Sequence, residues 1–167
     1  FAIGYTLFWI EDISRKSSDA SNWFEKTLEI DSGHLLSRYY LGVVLYAQAR
    51  FLEASATLQP ILNVENSASI GLYRKVNAKA LVACSKAQHG NLDLAELESV
   101  ALLYAGDVNC EFDLPIQLVE YGLSLAASPV KADTEKKILE IILRMLSSPH
   151  FRNDFSTEFA VIGNALK

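Results

Sequence analysis

Apolar residues recur along this chain at spacings of three and four between short polar breaks, and alternation with a period of two is nearly absent. That pattern predicts an all-α fold. A first helix covers residues 1–15. It is followed by the polar break Arg15-Lys16-Ser17-Ser18, where Ser17 or Ser18 can cap the next helix by accepting its free amide protons. The second helix reaches Ile30 with Ala20, Trp23, Phe24, Thr27 and Leu28 on one face, and Asp31-Ser32-Gly33 ends it with a residue tolerant of positive φ. Residues 36–49 and 52–64 form a second pair joined at Arg50-Phe51, and Pro60 predicts a bend or an earlier end in its latter helix. A long helix over 70–88, a turn at His89-Gly90-Asn91 and a returning helix over 92–104 follow. After a loop over 105–113, Pro115 opens a helix at the position where its missing donor costs nothing, and Pro129 closes that region. Asp133 or Thr134 can cap a helix to Leu146 whose apolar residues, Ile138 to Leu146, are dense enough for burial on more than one side. The last helix, from about Asn153, sets Phe155, Phe159, Ile162 and Leu166 on one stripe.

Residues 1–34 and 35–68 overlay without a gap: Leu7 with Leu41, Ala20 with Ala54, Phe24 with Leu58 and Leu28 with Leu62. A period of that length marks a solenoid of helical hairpins, because each unit is too small to bury its own apolar face and must stack on the next. A third hairpin over 70–105, aligned on Ala95, is displaced from the strict repeat. Residues 106–167 then serve as helices capping the same domain.

These positions resemble tetratricopeptide repeats, strongest in the second repeat, where Leu41-Gly42 and Ala54 match and Arg50-Phe51-Leu52-Glu53-Ala54 is similar to the usual turn into helix B. Close packing explains them, since Gly42 and Ala54 lack side chains that would hold two helices apart. Departures are Phe8 where Gly is expected, Gly4 where an aromatic is common, and Ser32 and Asn66 in place of the terminal Pro. The resemblance covers about the first 105 residues. It implies a right-handed α-solenoid with a C-terminal helical cap, and a concave surface lined by helix A that holds an extended peptide or a partner helix. Carried over by position, that groove consists of Tyr5, Trp9 and Asp12, then Tyr39, Val43 and Tyr46, then Asn77, Cys84 and Gln88. Its first two repeats offer an aromatic strip suited to recognition, since Tyr and Trp bring large area with a polar tip. The alternative is that these rings are core between hairpins or lie under the C-terminal helices. Tyr5, Trp9 and Tyr39 also stand where chaperone-binding members hold a carboxylate with Lys and Asn, which argues against such a clamp.

Half of the residues are hydrophobic, enough for a continuous core, and the net charge of −5 argues against general affinity for nucleic acid or anionic lipid. Cys84 and Cys110 have no framework spacing and read as free thiols, Cys84 buried and Cys110 in a connection. His34, His89 and His150 fall at turns far apart in sequence, without the convergence a metal site needs. There is no Gly-rich phosphate loop and no nucleophile elbow. The acidic pairs Glu25/Glu29, Glu96/Glu98 and Glu111/Asp113 read as solvated faces or caps rather than general acid–base pairs, and Lys136-Lys137 beside Glu135 and Glu140 as an exposed face. No catalysis and no cofactor are expected from these residues. The apolar run over 1–10 is too short to span a bilayer and reads as a buried first helix. A start at Phe1 suggests an excerpt of a longer polypeptide, in a cytoplasmic or periplasmic setting. The leading expectation is a non-catalytic scaffold binding a protein or peptide. A second is the C-terminal sensory or scaffold part of a membrane-anchored regulator or envelope enzyme, and a third is self-association through Phe155, Phe159 and Ile162.

Overall fold

A computed structural model describes residues 1–10, 18–65, 67–91, 93–107, 115–129, 131–149, 151 and 154–167. Among them the chain is all helical, with no strand: α1 Ala2–Ile10, α2 Ser18–Ile30, α3 Leu35–Ala47, α4 Phe51–Leu62, α5 Leu72–Gln88, α6 Leu94–Ala105, α7 Ile116–Ala126, α8 Asp133–Leu146 and α9 Ser156–Ala165. A 3-10 turn at Ser67–Ser69 precedes α5. The chain divides into two compact units, Phe1–Asn91 and Leu92–Lys167. That division falls inside the expected third hairpin, so α5 belongs to the first unit and α6 to the second.

In the first unit each helix from α1 to α5 packs on the next in chain order, and α3 also meets α5. The residues paired by the repeat share one core: Ala20, Ala54, Phe24 and Leu58 are fully buried, Leu41 is buried, and Leu7, Leu28 and Leu62 pack against the same cluster. Burial of each large side chain contributes about 1.5–3 kcal/mol. Two glycines let the hairpins close. A Cβ on Gly42 would lie 2.4 Å from the Leu58 side chain, and one on Gly4 would lie 3.0 Å from the Phe24 ring. Since Leu58 and Phe24 are the same repeat position, both hairpins close against one site. The first does so one turn earlier, which frees Phe8 to be large, and Phe8 is buried with its ring 5.0 Å from that of Tyr40.

Helix ends depart from expectation in instructive ways. Gly33 does not take a positive φ; the Asp31 carboxylate accepts its N–H at 3.0 Å, and His34 Nδ1 then caps α3 by accepting the Ser37 N–H at 3.1 Å. The left-handed residue after α3 is Ala49, φ 60°, with the Arg50 N–H donating to the Leu45 carbonyl and the Ala49 N–H to that of Tyr46. The same pair of bonds closes α5 around Gly90, φ 74°, from Asn91 to Lys86 and from Gly90 to Ala87. Helix α4 ends at Leu62, two residues past Pro60 and short of Val64, in keeping with the earlier end that Pro60 predicts. Asp133 and Thr134 are helical residues of α8 rather than its cap, which is Ala132, whose N–H donates to the Glu135 carboxylate at 2.8 Å. Ser17 lies outside the described residues, as do Asn66, Cys110 and His150.

In the second unit α8 packs against α6, α7 and α9, and this many-sided burial accounts for its dense apolar sequence: Ile138, Leu139, Ile141, Ile142, Met145 and Leu146 are all buried. Gly122 admits α9, since a Cβ there would lie 3.0 Å from Ile162 Cδ1. That contact redirects the stripe expected to serve self-association: Ile162 and Phe155 are interior to this unit, and Phe159 is half-buried. Asp93 caps α6 by accepting the Ala95 and Glu96 N–H groups, and Arg144 on α8 donates to Glu98 on α6 at 2.7 Å.

Candidate binding surface

The aromatic residues of the first unit gather around Tyr40. Its ring lies 5.2 Å from that of Tyr5, 5.0 Å from Phe8, 5.8 Å from Phe24 and 5.2 Å from Tyr39. Such pairs, stacked for Phe24 and edge-on for the other three, add to what burial alone provides. Arg74 of α5 closes the cluster, its guanidinium 6.0 Å from the centre of the Tyr40 ring and donating to the Tyr40 hydroxyl at 3.4 Å across a separation of 34 residues. Burial pushes the Tyr40 hydroxyl above the ordinary tyrosine range, and the nearby Arg74 charge offsets part of that rise.

The outer edge of this cluster is open. Trp9 is 55% exposed and Tyr5 36%, their rings in edge contact at 6.1 Å, so a packed aromatic interior continues into an accessible pair on α1. Ile3, 52% exposed, and Thr6 extend the same helix surface. Trp23 on α2 is also partly exposed, with Lys26 Nζ 4.6 Å from the centre of its ring.

The expected groove residues separate into two groups. Tyr5 and Trp9 lie together on α1, Tyr46 is half-buried with its ring 5.3 Å from Phe51, and Gln88 is exposed at the end of α5. Tyr39, Val43, Asn77 and Cys84 are interior, which assigns them to the core alternative. The reason is the setting of α3, which packs against α2, α4 and α5 and buries every residue from Tyr39 to Leu45. Asn77 Nδ2 donates to the Tyr39 hydroxyl at 2.8 Å, a polar link between α3 and α5 within that interior. Asp12 lies outside the described residues.

Sequence reasoning missed Ile3, Thr6, Tyr40 and Arg74. A signal was present for three of them, since Thr6, Tyr40 and Arg74 follow one another at the repeat spacing.

Little points to chemistry. Among the described residues no group of three or more His, Cys, Asp or Glu is placed to hold a metal ion, and no helix is long and apolar enough to cross a membrane. His34 is engaged as a helix cap, Glu25 and Glu29 lie on an exposed helix face, Glu98 is ion-paired to Arg144, and Glu111 and Asp113 lie outside the described residues. No protein-family model, curated protein or solved structure matches this chain.

Proposed function

We propose that the chain is a non-catalytic protein-interaction scaffold whose first unit is a short right-handed solenoid of tetratricopeptide-like hairpins, and that it binds a protein or peptide across the surface begun by Tyr5 and Trp9. The repeat reading is supported by the matching burial of Ala20 with Ala54 and Phe24 with Leu58, and by Arg74 meeting Tyr40 at the repeat spacing. The observation that carries the functional reading is the exposed Tyr5–Trp9 pair set on a rigid aromatic interior. Rings held from behind offer contact area with little side-chain entropy left to lose, the property of energetic anchors at interfaces.

The test is selection of peptides from a displayed library, containing both extended and helix-forming sequences, against the whole chain. Selected peptides should bind the Trp9→Ala and Tyr5→Ala double variant at least tenfold more weakly, about 1.4 kcal/mol or more, with unchanged helical circular dichroism. Failure to select any peptide, or affinity indifferent to both substitutions, rejects the reading.

A further inference from the structure

The uncovered surface of α1 is the register equivalent of a surface that is covered in α3. Ala2, Ile3, Thr6 and Trp9 recur at spacings of three and four and form one exposed stripe centred on Thr6. One repeat further on, the same positions are Leu36, Ser37, Tyr40 and Val43, of which the last three are buried. Tyr40, the equivalent of Thr6, is the residue by which α3 meets the preceding hairpin: the Phe8 ring of α1 and the Phe24 ring of α2 both pack on it. Arg74, one repeat further still, reaches back to Tyr40. The face of α1 around Thr6 thus continues a series of interfaces already formed twice in this unit, with its own partner position open.

From that continuity we infer that the Ile3, Thr6 and Trp9 face of α1 docks an amphipathic helix of a partner protein, lying on α1 as α2 lies on α3. This rests on the interaction reading above and names the partner's form. The stripe fixes the partner's chemistry. It carries no ionisable side chain, and the Thr6 hydroxyl is occupied by donating to the Ala2 carbonyl at 3.0 Å, so the centre of the face presents a methyl group. Thr6 is smaller than Ile3 and Trp9 on either side. The partner helix therefore presents an uncharged apolar stripe with one large side chain seated over Thr6, as Phe24 is seated against Tyr40.

The probe is a synthetic peptide of residues 50–64, the segment containing α4, an amphipathic helix that packs on α5 and contains no tryptophan. Titrated into the whole chain, it should move the Trp9 indole resonance, identified with a Trp23→Phe variant, and saturate below about 1 mM. Thr6→Glu, a change at an exposed position, should weaken binding at least tenfold, whereas Thr6→Val should retain it, and added salt should leave it unchanged. Absence of any shift, or a shift indifferent to Thr6→Glu, overturns the inference. A Trp9 shift that follows chain concentration without peptide, and is abolished by Thr6→Glu, also overturns it by giving the face to a second copy. Binding of extended library peptides without the helical probe overturns the helix assignment and leaves the interaction reading standing; binding of neither removes both.

Discussion

Ala49 and Gly90 occupy the same place in the same capping motif, one after α3 and the other after α5, and both take a left-handed backbone. For a residue with a Cβ that conformation costs roughly 1–2 kcal/mol, a penalty glycine avoids. Ala49→Gly should raise the free energy of unfolding by about 1 kcal/mol, and Gly90→Ala should lower it by a similar amount, since nothing packs near Gly90 to reward the added methyl. Denaturant midpoints measured on both variants check this, and a stabilising Gly90→Ala would contradict it. The contrast also marks where reading stops. The stop after α5 is written as glycine, whereas the stop after α3 is written as alanine, with the backbone bonds alone betraying it.

Hairpin closure is the corresponding matter for elements. Gly42 brings α3 against Leu58, a fully buried side chain, so Gly42→Ala should destabilise the chain by about 1–3 kcal/mol through overpacking, read as an earlier thermal or denaturant transition. A neutral result would mean that α3 and α4 part easily and that the repeat positions carry less than their burial implies. The helices and their order were legible because the apolar spacing repeats and because Pro and Gly mark breaks: α5 and α6 appear close to where the pattern sets them, with His89 and Gly90 between. The candidate site was legible only in part. Tyr5 and Tyr39 are the same repeat position, yet Tyr5 is open and Tyr39 is interior, because exposure depends on how many neighbours a helix has. A single chain's pattern specifies which face of a helix is apolar and leaves the number of covering helices to the assembled fold. The Phe155 and Ile162 stripe makes the same point, Ile162 being met by Gly122 of α7 and Phe155 by the Phe151 ring within their own unit.

Taken across the whole molecule, burial is graded. Consecutive residues of α3 and most of the middle of α5 are interior, α8 holds the corresponding place in the second unit, and α1 buries only Gly4 and Phe8 among its residues up to Trp9. Amide hydrogen exchange should follow that gradient, slowest in α3, α5 and α8 and fastest in α1 and in α9, which buries only Ile162, because local opening exposes least apolar area there. Protection of α1 equal to that of α3 would refute the gradient. The distribution of chromophores follows a different line. Both tryptophans of the chain, Trp9 and Trp23, stand in the first unit, on α1 and α2. Tryptophan emission, excited at wavelengths where Tyr104 and Tyr121 of the second unit do not absorb, is therefore an optical report on Phe1–Asn91, whereas far-ultraviolet ellipticity sums over every helix. Melting curves followed by the two signals will coincide only when Leu92–Lys167 unravels in the same step.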